Sequence, residues 1–317
     1  MRINRRNFNR FLLATTSLTI IPSYMVAAPY NGLINWAGTS FLLPFNRIKV
    51  VMPIIKKASE ITIENSEQTF FNASLMSSLE ERPIIENLDL DGLSGSTKDE
   101  AKLALTLSFA AEFDFGGFKD TKQGTYNYFM RVFAHAILYN PGNRNIVASV
   151  PVRARIGGAL LLSDMHEEWK TEVMKYSFYN KQNPEKTILD QFRIMTSQMS
   201  LTNRWKGIAP RVALVTFPEK KKKLFNENLK LKFDDFLEFL GHSCTAAFSY
   251  TLNQPIIPFS ITESAGAVIS VFKESTKMFQ ELETDLPDTD IKINLHHKGW
   301  KFKEKPLTHP ILQITLY

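Results

Sequence analysis

Between Ala101 and Phe115 the odd positions are Leu103, Leu105, Leu107, Phe109, Ala111, Phe113 and Phe115, with Lys102, Thr106, Ser108, Glu112 and Asp114 falling between them. Apolar side chains at every second residue point to one side of an extended chain, so this run predicts a long half-buried strand. Tyr126 to Tyr139 is a second strand, rich in aromatic and β-branched residues, and it leads into Asn140-Pro141-Gly142-Asn143. That composition demands a tight turn. Ile146, Ala148, Val150, Val152, Ala154 and Ile156 then alternate as a third strand, so residues 101–156 form an antiparallel meander.

Ahead of the meander, Arg47-Ile48-Lys49-Val50-Val51-Met52-Pro53 reads as a strand and Ser66 to Glu80 as a helix carrying Phe71, Leu75 and Leu79 on one stripe. A similar order follows residue 210. Arg211 to Pro218 reads as a strand, and Leu231 to Leu252 as a helix with Phe233, Phe236, Leu237, Leu240, Cys244, Ala247 and Phe248 on its apolar face. Further strands fall at 265–272, 289–303 and 310–317. Arg47 to Pro53 resembles Arg211 to Pro218, and Leu79 before Pro83-Ile84-Ile85 resembles Leu252 before Pro255-Ile256-Ile257, which points to an internal repeat. Met165, Trp169, Val173 and Tyr176, then Ile188, Phe192, Met195 and Met199, recur at helical spacing on either side of Asn183-Pro184. The expectation is an α+β protein of two similar β-α-β-β-β units with mainly antiparallel sheets, residues 29–158 and 210–317, joined by a helical connector over 159–209.

The N-terminus has the three-part layout of a secretory signal. Arg2, Arg5, Arg6 and Arg10 stand without an acidic residue, Phe11 to Ala28 is apolar and dotted with hydroxyls, and the stretch ends in Met25-Val26-Ala27-Ala28. Asn4-Arg5-Arg6-Asn7-Phe8-Asn9-Arg10 resembles a twin-arginine export signal through Arg5, Arg6 and Phe8, while Asn4 and Asn9 depart from that pattern and leave an ordinary Sec signal open. Residues 1–28 are therefore expected to be a signal peptide, cut after Ala27 or Ala28, and the body to be periplasmic or secreted. No later segment has the length of a membrane-spanning helix. The four signal arginines also account for most of the net charge of +6: without them 34 basic residues face 32 acidic ones, which gives no global electrostatic case for nucleic acid. The run Lys220 to Lys223 reads as a solvated loop.

A strand-helix-strand unit opening an exported protein is similar to the small α+β domains of bacterial envelope assembly proteins, such as the N-terminal domain of TolB-type translocation proteins. This resemblance lies in element order over roughly a third of the chain and brings no site residues with it.

The single cysteine, Cys244, excludes an intrachain disulfide, Cys-rich zinc modules and iron–sulfur clusters. Gly241-His242-Ser243-Cys244-Thr245 lacks the final glycine of a nucleophile elbow and lies inside a helix pattern, which reads as a buried Cys244 beside a surface His242. Asn87 to Gly92 has the alternating oxygen ligands of a calcium loop, but Lys98 stands where the bidentate glutamate belongs. No catalytic set, metal site or cofactor motif emerges. Arg131, Arg153 and Arg155 on neighbouring strands suit either cross-strand ion pairing or an anion site. His296 and His297 before Trp300 suit a turn or a ligand contact. His135, between Phe133 and Ile137, reads as a hydrogen-bonded core histidine. The functional expectation is an exported, non-catalytic binding or scaffolding protein of the bacterial envelope, with an envelope protein or small ligand as partner. An exported hydrolase whose site forms only in the fold is the alternative.

Overall fold

In a computed structural model the protein is described over residues 34–64, 66, 68–81, 88–89, 103–180, 187–197, 210–216, 233–252, 255–259, 266–273, 278–285, 291–296, 300–303 and 313–316. The signal residues Arg5, Arg6 and Phe8, the Asn183-Pro184 break, Lys220 to Lys223 and His297 lie outside these. The described chain is α+β, with helices packed on a mostly antiparallel sheet.

The meander forms as three long strands, β3 (Leu103–Asp120), β4 (Thr125–Tyr139) and β5 (Ile146–Leu161), paired antiparallel. β1 (Ile34–Phe41) lies parallel to β3, and its other side takes β2 (Leu88–Asp89) at one end and β7 (Gly266–Lys273) at the other. β8 (Met278–Asp285) pairs antiparallel with β7, giving the order β5-β4-β3-β1-β7-β8. Pro151 lacks the N–H a central strand must donate and sits in β5, at the sheet's edge. The turn between β4 and β5 closes as its composition demands: Asn140 Oδ1 accepts the N–H groups of Gly142 at 2.8 Å and Asn143 at 3.2 Å.

One face of the sheet is covered by α1 (Phe45–Val51), α2 (Pro53–Ser59), α3 (Phe70–Glu81), α4 (Trp169–Phe178) and α5 (Ile188–Ser197), whose buried side chains form one core with β1 and β3–β5. Phe71 and Phe178 stack at 3.9 Å against Phe109, and Trp36 meets Phe192 edge-on at 5.8 Å. The helices read as a connector thus lie in the same core as the meander. The opposite face carries α6 (Phe233–Leu252), which packs on β3 and β5 and on β6 (Pro210–Thr216). β6 pairs parallel with β9 (Ile291–His296), and β10 (Trp300–Lys303) pairs with β11 (Gln313–Leu316).

Three sequence expectations change. Residues 47–53 are not a strand: α1 and α2 occupy this stretch, with Met52 between them at φ −134° and Pro53 opening α2. Buried Ile48, Met52, Ile55 and Ala58 follow a helical stride, while Val50 is 80% exposed. The repeat is not confirmed, because its first matched segment is helical and its second is β6. Finally, β3 is buried on both faces from Leu103 to Phe113, because α6 covers the side that alternation assigned to solvent. A register shift between Phe109 and Ala111 also turns the odd residues over: Leu105, Leu107 and Phe109 face the five helices, whereas Ala111 and Phe113 face α6.

That shift delivers Glu112 to the helical side. Its carboxylate accepts the N–H of Ile55 at 2.7 Å and of Ile54 at 3.2 Å, satisfying two of the orphan donors at the start of α2, which has no capping side chain of its own. Burial nevertheless pushes its pKa up to about 7, against the pull of those two hydrogen bonds.

Candidate functional site

The face of β3–β5 turned towards α6 changes character along its length, and the odd residues of β4 trace the change. His135 is buried, Phe133 is buried, Arg131 is half-buried and Phe129 is exposed. Register sets Arg131 directly opposite Arg155 and Phe133 opposite Arg153, so three guanidinium groups occupy one face of two adjacent strands. The Arg131 guanidinium lies 5.3 Å from the centroid of Phe239 on α6 and 5.6 Å from that of Phe129. Its Nε is buried with no hydrogen-bond partner among the described residues. Burial, then the charges of Arg155 and Arg153, hold its pKa below the usual guanidinium range. Among the described residues no carboxylate forms an ion pair with any of the three. Like charges set opposite one another without counter-ions are a cost to the fold, and a bound anion removes it.

Beyond the arginines the same face becomes apolar and open to solvent. A second register shift in β3, between Asp114 and Gly117, brings both Phe115 and Phe118 to this side although they are three residues apart. Gly116 takes φ +71° within it, and a Cβ on Gly117 would stand 2.0 Å from the Asn127 carbonyl oxygen. Phe115 contacts Phe129 and Phe239, each at 5.4 Å between ring centroids. Phe118 is 64% and Leu161 54% exposed. Gly157, opposite Phe129, leaves that ring room to lie across the strand.

Towards the interior the face becomes polar and closed. Nδ1 of His135 and Oγ of Ser149 share a 2.8 Å hydrogen bond, both residues being buried. His242 of α6 stacks on Phe133 at 5.5 Å and lies edge-on to Phe259 at 5.5 Å. Burial pulls the pKa of both histidines down to about 3, with the neighbouring His242 adding to the effect on His135, so both are neutral imidazoles at ordinary pH. Because this layer lies under α6, the His135–Ser149 bond serves as a tie between strands. The surface position expected for His242 is overturned, since it is 3% exposed, while Cys244 is only partly buried and packs against a cluster of Val212, Ile256 and Phe259. The physical reason is that α6 is covered on two sides. Cys244 and Phe248 face β6, and His242 faces the sheet.

His296 ends β9 opposite Thr216 and Trp300 opens β10 opposite Leu316, so these two candidates stand in separate small sheets, away from the arginines in sequence and in sheet membership. The structure therefore unites Arg131, Arg153 and Arg155 and adds Phe115, Phe118, Phe129, Phe239 and Leu161. The missed signal was the pair Gly116-Gly117, whose freedom produces the bulge that regroups the aromatic residues. No family model and no curated protein matches the chain. Among the described residues no helix is long and apolar enough to cross a membrane, which leaves membrane-crossing strands unaddressed.

Proposed function

We propose that this is an exported, non-catalytic binding or scaffolding protein of a bacterial cell envelope that engages an anionic partner through Arg131, Arg153 and Arg155. The observation that carries the binding half is three guanidinium groups on one sheet face with no carboxylate paired to them among the described residues. Guanidinium groups are always charged and present planar forks suited to carboxylates and phosphates. A site that held such an anion would relieve the repulsion between Arg131 and Arg155. Phe129 and Phe239 flank the Arg131 guanidinium and fix its position beforehand, which lowers the entropy cost of binding.

Export is supported by Arg5, Arg6 and Phe8 ahead of the apolar stretch 11–28. Two measurements test the two halves. In fractionated cells the native protein should appear outside the cytoplasm with the intact mass left by cutting after Ala27 or Ala28; a full-length cytoplasmic species overturns export. Inorganic pyrophosphate, added at constant ionic strength, should stabilise the wild-type protein and should leave Arg155→Gln unaffected. Equal stabilisation of both proteins removes the arginine face as the binding site.

A further inference from the structure

We propose that the arginine face and the exposed end of β3–β5 form one surface that rests on an anionic lipid bilayer, with the aromatic side chains in the interface and the arginines on the headgroup phosphates. This deepens the anion-binding reading above and rests on it.

The distribution of side chains carries the inference. Phe118 and Leu161 stand exposed on the face that also holds Phe115 and Phe129, and together they make an apolar area with solvent above it. Cations lie on two sides of this area: Arg131, Arg155 and Arg153 inboard along the strands, and Lys122 outboard in the turn that joins β3 to β4. Asp114 is taken up by an ion pair with Lys170 on the helix-covered side, while Asp120 keeps its charge in the turn beside Lys122, beyond the aromatic residues from the arginines. Phe118 is level with Asn127, four residues from Arg131, and Phe129 is two residues away. At about 3.3 Å per residue these separations are roughly 13 and 7 Å, comparable with the 5–10 Å to which interfacial elements sink their apolar side.

An apolar centre with cations around it matches an anionic bilayer surface, where aromatic side chains prefer the headgroup level and each basic group adds an electrostatic contribution. Single-stranded nucleic acid would need several ring faces free to stack on successive bases, but Phe115 already packs against Phe113, Phe129 and Phe239, Phe129 against Phe115 and Arg131, and Leu161 has no ring. This leaves Phe118 as the one largely exposed ring among these residues. The paired strands and the bulge fix the surface before contact, so docking orders little additional chain.

The test is flotation of the full chain with vesicles of phosphatidylcholine containing phosphatidylglycerol, and with vesicles of phosphatidylcholine alone. Wild type is expected to float with the first and not with the second. The double variant Phe118→Ser, Leu161→Ser changes two exposed side chains and is expected to partition about tenfold or more weakly, as the loss of two inserted apolar groups requires. It shares the apolar residues 11–28 with wild type, so the comparison isolates this surface. Arg155→Gln should also float more weakly, and its residual binding should fall less steeply with added salt. Equal flotation of wild type and the double variant overturns the proposal, as does equal flotation with neutral vesicles. Stabilisation by pyrophosphate without flotation overturns the lipid assignment while the anion reading stands. If Arg155→Gln changes neither measurement, the anion reading fails with it. Dimer formation in place of flotation, abolished by the double variant, assigns the surface to a second copy and overturns the lipid assignment.

Discussion

Among individual residues, the clearest consequences come from three buried titratable groups that refuse their ordinary charge. His135 and His242 stay neutral in the fold down to about pH 3, whereas in the unfolded chain they take up protons below about 6.5. Stability is therefore lost as pH falls through that window, by about 1.4 kcal/mol per pH unit for each histidine. Glu112 acts in the opposite sense. Its folded pKa of about 7 lies above the ordinary 4.5, so the fold holds a proton that the unfolded chain has released, and stability falls as pH rises from 4.5 to 7. Between pH 4.5 and 6.5 the two histidines outweigh Glu112, leaving a net loss on acidification of at most about 1.4 kcal/mol per unit, reduced further by Glu238, whose pKa burial also raises. Urea unfolding at several pH values across this window should give that slope. His242→Phe, which places a ring against Phe133 and Phe259, should bring it to zero or reverse it, and Glu112→Gln should steepen it by about 1.4 kcal/mol per unit. The core reading of His135 was legible, because apolar neighbours two residues away on a strand share its face. Glu112 was not, since its burial depends on a bulge and on a helix start that local alternation does not reveal.

Element by element, periodicity identified the meander, its turn, the α3 region and the long helix α6, because each repeats its apolar spacing over many residues. It failed for α1 and α2. Val50, Val51 and Pro53 favour a strand locally, yet Ile48, Met52 and Ile55 have a helical stride that Pro53 merely interrupts, since proline is well accommodated in the first turn of a new helix. It also failed to foresee that β3 turns its odd residues over twice, which determines what the candidate site contains. The two adjacent glycines test this directly. Gly117→Ala sets a Cβ against backbone at 2.0 Å and should destabilise the protein by about 2–3 kcal/mol or open the end of the β3–β4 pair. Gly116→Ala meets no atom within 4 Å and suffers only from its φ of +71°, so about 1 kcal/mol is expected. Denaturant unfolding of the two variants should rank them in that order, and equal effects would mean that the close approach at Gly117 is not as described.

For the whole molecule, one sheet separates two different tasks. Its helix-covered face contributes the main apolar core, and Phe71→Ala at the stacked centre with Phe178 should cost about 3–5 kcal/mol in thermal unfolding. Its other face passes from buried histidines to arginines with no carboxylate paired to them among the described residues, and then to exposed aromatic residues; the opposed charges of Arg131 and Arg155 cost stability there. The arginine trio was legible as a candidate from its strand positions, but its setting was not: Phe239 on α6 and Phe118 beyond the bulge reach it only through tertiary packing. The most direct test of this division is the melting temperature of wild type and Arg155→Gln, each with and without pyrophosphate at matched ionic strength. Without the anion, Arg155→Gln should melt slightly higher than wild type, by about 1–2 °C for the removal of one opposed like charge, and pyrophosphate should raise wild type alone. A variant that melts lower than wild type, together with an anion response common to both proteins, would contradict a binding role for this face.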